Sequence, residues 1–417
     1  MIDVLSALVL SVMLCTQDAT ASASGDRAKE AKTELNFVPV VGGDSDVGLG
    51  LGVIGDLARL DPGYRPFRWR AELAAVTTFK PGKATGTGTG TKAFTVPFQD
   101  YYLQLVWPQL TDSRRLRLEI RPAFTWESTQ RFYGVGNAAP APPDELPDRQ
   151  YQYGRRRVAL QVVTRVRVWQ RLHVRVAADY NQSWMQIPDD SILAQQRAHG
   201  SETVRELLDG PLNHGVGAAE AAVEWDSRDN EIVPRSGSWH HLKVRGTPRL
   251  GAGQPFHYWQ GNVTLRVYRA PLQRLEVAAR LVGDALLGNP PLYELTRVED
   301  SSVVGGGKGI RGVPGQRYYG KTKVFGNLEA RVQTWKGDLW KKPMVLSVAG
   351  FFDGGRVWAE SPFSPHPELD GHGLGLKYGI GGGLRLQEGQ TFVVRADIAW
   401  SPDAQPIGAY FNAGQIF

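Results

Sequence analysis

The stretch Arg157–Trp169, RVALQVVTRVRVW, changes chemistry with a period of two. Val158, Leu160, Val162, Val166 and Val168 share one face; Ala159, Gln161, Val163, Arg165 and Arg167 share the other. Elsewhere Leu116, Leu118, Ile120 and Phe124 oppose Arg115, Arg117, Glu119 and Arg121, and Leu172, Val174, Val176, Ala178 and Tyr180 oppose His173, Arg175 and Asp179. Near the C-terminus Phe392, Val394, Ala396, Ile398 and Trp400 oppose Arg395 and Asp397. Period-two alternation marks a strand with two different surroundings. Strands of about 9–13 residues with one wholly apolar face fit a transmembrane β-barrel, in which lipid meets one face and the lumen the other. A soluble β-sandwich would also alternate, but its strands average about 5–6 residues.

Sixteen such runs are predicted, near 35–43, 47–58, 66–78, 97–107, 114–126, 155–168, 171–184, 215–226, 237–248, 255–270, 272–286, 322–334, 342–356, 373–386, 391–402 and 407–417. The fold class is therefore all-β, a 16-stranded antiparallel transmembrane barrel. Connections after strands 3, 5, 7, 11 and 13 are long, whereas those after strands 2, 4, 6, 10, 12 and 14 are short, the outer-membrane pattern. Connections after strands 1, 9 and 15 are also short, so the alternation is incomplete on the outer side. Trp69, Trp107, Trp169, Trp225, Trp239, Trp335 and Trp340 fall at inner strand ends, and Trp126, Trp184, Trp358 and Trp400 at outer ends, as two aromatic girdles would require. The run ATGTGTGTKA (Ala84–Ala93) is expected to be an outer loop.

Among the 417 residues, no apolar run reaches the roughly 20 that a spanning helix needs. VLSALVLSVMLC (Val4–Cys15), followed by Ala21-Ser22-Ala23, has the length and cleavage site of a secretory signal, although Asp3 stands where a cation is usual. The alternative is an uncleaved buried helix. Expected boundaries are 1–23 for the signal, 24–34 for a short periplasmic segment and 35–417 for the barrel. The single cysteine, Cys15, lies in the signal, so no disulfide is expected in the mature chain. Net charge is +6, yet Lys and Arg alternate with apolar residues instead of clustering, which argues against nucleic acid.

The glycine-rich VVGGGKGIRGVPGQRYYG (Val303–Gly320) invites a phosphate-loop reading. Ser302 occupies the first glycine position, Gly309 replaces the Ser/Thr after Lys308, and no helix is expected to follow, so that reading fails. There is no G-x-S-x-G and no H-E-x-x-H. The loop HPELDGH offers His366, Glu368, Asp370 and His372, which are read as solvated, and His240-His241 alternate across a strand. No enzyme activity, metal or cofactor is expected.

Several segments together resemble one family. GIRGV (Gly309, Ile310, Arg311, Gly312, Val313) resembles the V-R-G-[FY] signature of the outer membrane protein eighty-five type superfamily, which includes BamA- and TamA-like insertases and two-partner secretion transporters. Phe351, Asp353 and Gly355 match its F-x-D-x-G. WDSRDNEIVPRSG supplies Asp226, Arg228, Asp229, Pro234 and Gly237 of a D-[ST]-R-D…P-x-x-G element at a periplasmic turn. RFYGVGN (Arg131–Asn137) and Val38–Gly52 are similar to further family segments, and Phe411 and Phe417 lie in the alternating C-terminal strand. Val313 departs from the pattern, since the family usually has an aromatic there. The chain resembles members built of a barrel alone, without polypeptide-transport-associated domains.

The resemblance implies a loop between strands 11 and 12 that folds inward and pairs Arg311 with Asp353, and a charge swap of the two is expected to recover part of what either single change loses. It also implies an outer-membrane barrel that inserts or translocates proteins, or lipids, through a seam between strands 1 and 16. Expected partners are outer-membrane lipid and lipopolysaccharide, unfolded outer-membrane proteins or a separate periplasmic protein, and the barrel-assembly machinery. The alternative is a passive pore, anion-preferring because Arg115, Arg117, Arg121, Arg165, Arg167 and Arg175 face inward, or a structural barrel.

Overall fold

The computed structural model describes residues 31–44, 48–64, 67–81, 94–111, 115–140, 149–230, 233–247, 254–298, 308–339, 342–388, 392–403, 407–413 and 415. The expected signal at 1–23, residues 24–30, the Gly/Thr run, Trp340 and Phe417 lie outside them.

Sixteen antiparallel strands close into one barrel. They are β1 (Lys32–Asp44), β2 (Gly48–Leu60), β3 (Trp69–Pro81), β4 (Phe98–Trp107), β5 (Leu116–Arg131), β6 (Gln152–Arg167), β7 (Leu172–Gln186) and β8 (Asn213–Asp226). Then come β9 (Gly237–Gly246), β10 (His257–Leu272), β11 (Leu275–Asn289), β12 (Thr322–Leu339), β13 (Lys342–Trp358), β14 (Lys377–Glu388), β15 (Phe392–Trp400) and β16 (Gly408–Ala413). A two-residue strand, Phe94–Thr95, pairs only with the end of β3. The first strand begins at Lys32, so the end of the segment expected to precede the barrel is part of its wall.

The two surroundings inferred from alternation are visible in burial. Along β10 the inward row is Gln260, Asn262, Thr264, Arg266 and Tyr268, all buried, while Trp259, Val263, Leu265 and Val267 are exposed on the outer face. Exposed apolar residues of this kind recur around the ring, including Leu35, Leu73, Val158, Val176, Leu242, Leu281, Phe352 and Ile398. An apolar outside around a charged inside is stable only when lipid covers the outside.

Connections after even-numbered strands form one end, here the turn end, and those after odd-numbered strands form the loop end. Two short helices, α1 (Ile192–His199) and α2 (Glu202–Leu208), stand in the β7–β8 connection. Their N-cap side chains, Ser191 and Ser201, accept from the backbone N–H of Ala194 and Val204. At eight and seven residues they are too short to print a helical period on the sequence. Leu193, Val204, Leu207 and Leu208 from these helices pack with Phe132, Tyr153, Phe256, Leu292 and Tyr319, so an apolar cap covers the loop end.

One girdle residue is corrected. Trp239 shares its face with the buried His241, Lys243 and Arg245 and so points into the lumen. There Arg228 stacks on its ring at 4.4 Å and Arg266 at 4.0 Å. Position along the strand had suggested a lipid anchor, but parity decides the side. Trp259, outside the expected set, is outward and exposed.

Lipid contact by the outer face has a direct test. Leu265 and Leu281 are register partners on that face. Leu281→Arg is expected to lower the unfolding free energy in liposomes by about 2–4 kcal/mol if it sits near the bilayer midplane. Urea titration followed by tryptophan fluorescence reads the loss; an unchanged midpoint would remove this face from the hydrocarbon.

Candidate functional site

The connection between β11 and β12 folds into the lumen and carries Arg311 to the barrel wall. Asp353 stands on the inward face of β13, in the row of Ser347, Ala349 and Phe351. Arg311 donates from Nε to Asp353 Oδ2 at 2.7 Å and from Nη2 to Oδ1 at 3.0 Å, a bidentate fork. Its backbone N–H also donates to Oδ2 at 3.0 Å. The guanidinium lies 3.3 Å from the centre of the Phe351 ring.

Two further carboxylates complete the surroundings. Arg311 Nη1 donates to Glu329 at 2.7 Å and lies 3.4 Å from Asp397. Glu329 also binds Arg331 and Arg385, while Asp397 binds Arg385 and Arg395. Three carboxylates and four guanidiniums thus form one network in which no member exceeds 2% exposure. Burial would lower the Arg311 pKa, but the adjacent Asp353, Glu329 and Asp397 outweigh it and raise the value, so the cation is held at any working pH.

Glycines make this approach possible. Gly312 has φ +91°, and an added Cβ would lie 2.9 Å from the Trp400 carbonyl carbon. A Cβ on Gly379 would run into the Arg311 carbonyl oxygen. The Gly312 N–H donates to the Tyr410 hydroxyl on β16 at 2.9 Å. Gly309 accepts from Asn327 Nδ2 at 2.8 Å. Ile310 and Val313 are fully buried with Val282, Tyr318, Phe325 and Val357, so the valine fills its place through aliphatic packing. A side chain at Gly355 would collide with Phe325. RFYGVGN folds over the same loop: Val135 bridges Tyr319 in parallel, and Gly136 N–H donates to the Tyr319 carbonyl at 2.7 Å.

The turn after β8 is a separate site. Asp226 pairs with Arg228 at 2.7 Å, and Asp229 accepts from the N–H groups of Arg235 and Ser236. Pro234 is buried and Gly237 has φ +101°. Phe411 faces outward on β16 opposite Gly43 of β1. In the HPELDGH loop, Asp370 accepts from the N–H groups of Ala359 and His366, which engages its carboxylate in bracing the chain. Among the described residues no cluster of metal-ligating side chains is found.

Residues 123–417 match the Omp85 superfamily domain. The chain belongs to the Omp85 superfamily. Its barrel is similar to BamA from Haemophilus ducreyi lacking POTRA domains 1–3, at TM-score 0.60 and 12% identity over 93% of this chain and 70% of that one. It is also similar to CdiB from Escherichia coli, at TM-score 0.53 and 9% identity over 93% and 68%. A search of curated proteins finds no match.

Sequence reasoning about this Omp85 barrel singled out Arg311 and Asp353 but missed Glu329, Arg385 and Tyr410. The signal was parity. Glu329 is the register partner of Phe351, and Asp353 that of Gly379, so the inward faces of β12 to β14 meet at one level.

The fuller network changes what substitutions should do. Arg311→Ala leaves buried Asp353 without its cation, while Glu329 and Asp397 keep theirs, and is expected to cost about 3–5 kcal/mol, read as a lower urea midpoint. The swap Arg311→Asp with Asp353→Arg would set an aspartate against Glu329 and Asp397. It is therefore expected to recover little, and near-wild-type stability of the double variant would show that the two neighbours do not matter.

Proposed function

We propose that this barrel inserts or translocates proteins, or lipids, at the outer membrane by parting β1 from β16. The turn end would face the periplasm and the capped loop end the exterior. The observation that carries the reading is the closing pair. Among the described residues β1 and β16 share two register partners, Gly43 with Phe411 and Asp44 with Tyr410, whereas β1 and β2 share thirteen. β16 itself has six partners on β15. Few ladder bonds mean a low free energy of local opening, and an unpaired β1 edge is a template for another strand. Pro39 on β1 lacks a donor, which weakens that edge further. Superfamily membership and the similarity to BamA and CdiB barrels support a role in insertion or transport. Lipid and lipopolysaccharide, unfolded outer-membrane proteins, a separate periplasmic protein and the barrel-assembly machinery are the partners this role would involve.

A passive pore would need a path through the loop end, where the apolar cap around Phe132, Leu207 and Tyr319 lies. Purified protein in a planar bilayer is expected to show low, intermittent conductance, and a steady anion-selective current would favour the pore.

The seam has its own test. Asp44→Cys with Tyr410→Cys places thiols on register partners across it. Assisted insertion of an unfolded barrel client into liposomes is expected to stop on oxidation and return on reduction. Equal rates in the oxidised and reduced forms of the same double variant would overturn the gating idea.

A further inference from the structure

The lumen below the cap holds a cavity of about 350 Å³ that the seam mechanism does not use. Six cations line it: Arg121, Arg157, Arg175, Lys243, Arg245 and Arg297. They divide into two sets. Arg175 is paired with Glu220, Lys243 lies 3.6 Å from Glu220, and Arg245 binds Asp179 at 2.9 Å and Glu294 at 3.7 Å. These three carboxylates also line the cavity, so this side is close to neutral.

The opposite side is not. Arg157, on β6, makes one side-chain hydrogen bond, from Nη2 to Thr125 Oγ1 at 3.2 Å, and its buried Nε has no protein partner. Arg297, in the β11–β12 connection, forms no ion pair among the described residues. Arg121, on β5, stacks on Tyr102 at 4.0 Å and is 3.9 Å from Asp100, while its buried Nε is also unpartnered. Asp100 already accepts from Thr125 at 3.0 Å. Three guanidiniums from three elements therefore converge with Asp100, Glu127 and Glu294 in their neighbourhood, and Arg157 and Arg297 form no ion pair among the described residues. An enclosed cation without a counter-charge is costly, and a multivalent anion offsets that cost.

A path reaches this place from the turn end. A second cavity of about 360 Å³ shares Arg121, Gln161 and Arg175 with the first and continues to Arg117, Arg165 and Arg228. Each of these three is ion-paired, with Glu119, Glu224 and Asp226, so the approach is polar and close to neutral and the unpaired cations stand at its inner end. Arg115 and Arg167, expected inside, are exposed and belong to neither lining. The apolar cap lies over the far end among the described residues.

We propose that Arg121, Arg157 and Arg297 form a binding site for a phosphoryl oxyanion. The planar fork of arginine matches a tetrahedral oxyanion through paired hydrogen bonds, and the volume suits a small phosphorylated group. That group is either free phosphate or pyrophosphate, or the phosphorylated headgroup of a glycolipid. The site does not depend on whether the β1/β16 seam opens.

The test is isothermal titration calorimetry on the purified full chain in detergent, with inorganic pyrophosphate as one probe and a diphosphorylated glycolipid in mixed micelles as the other. Saturable binding of pyrophosphate is expected, weakened about tenfold by Arg157→Gln and by Arg297→Gln and unchanged by Arg167→Gln at the rim. Heat-modifiable migration on gels checks that each variant is folded. A tighter, arginine-dependent signal from the glycolipid assigns the headgroup; arginine-dependent binding of pyrophosphate alone assigns the free anion. A second measurement needs no variant: pyrophosphate should protect Arg157 and Arg297 of the wild-type chain from phenylglyoxal, mapped by mass spectrometry. Absence of saturable binding by both probes, wild-type affinity in Arg157→Gln and Arg297→Gln, or unprotected arginines would each overturn the site.

Discussion

Arg311 is a cation taken out of water and surrounded by Asp353, Glu329 and Asp397. Removing such charges from solvent costs several kcal/mol per ion, and their mutual attraction does little more than offset it. The network is therefore poor evidence for added stability. Its consequence is conditional: with the loop in place every member has an ion-pair partner, and with the loop withdrawn Asp353 loses its bidentate partner in a confined lumen. That asymmetry holds the β11–β12 connection inside the barrel. The loop in turn carries Ile310, Val313 and Tyr318 against Phe325 and Val357, and Tyr319 against Phe132 of the β5–β6 connection. The cap at the loop end thus rests on chain segments whose position the ion network sets.

Much of this architecture could be read from the residues. Alternation located all sixteen strands, because a lipid-facing row must be apolar at every second position and no turn of helix satisfies that constraint. The same parity put Asp353 in the lumen beside Phe351. It was not applied to Trp239, where position along the strand suggested a lipid anchor and the side chain instead stacks between Arg228 and Arg266. Glu329 and Tyr410 escaped notice for a different reason. Which residues of separate strands stand at one level depends on the register of the ladder, and a sequence does not state register. The two short helices were invisible because their apolar residues serve the cap, with too few turns to establish a period.

Charge in the lumen is distributed unevenly, and the imbalance has a direction. Around Arg311 the four guanidiniums face three carboxylates at contact distance. Elsewhere in the lumen, Arg157 and Arg297 line open volume and form no ion pair among the described residues. Rigid, matched ion pairs close one part of the lumen, while unmatched cations mark the part left open to solutes.

The ring is also uneven in how firmly it is closed. β12 and β13 are long strands paired with each other along their length and carry Glu329 and Asp353, whereas β16, described over Gly408–Ala413, meets β1 at two positions among the described residues. Tyr410 belongs to both regions. It is the register partner of Asp44 across the closing pair, and its hydroxyl accepts from the Gly312 N–H next to Arg311. The loop tip pinned by Asp353 therefore holds the same strand that closes the barrel. Whatever loosens the tip removes a bond from β16, and whatever draws β16 outward pulls on the tip.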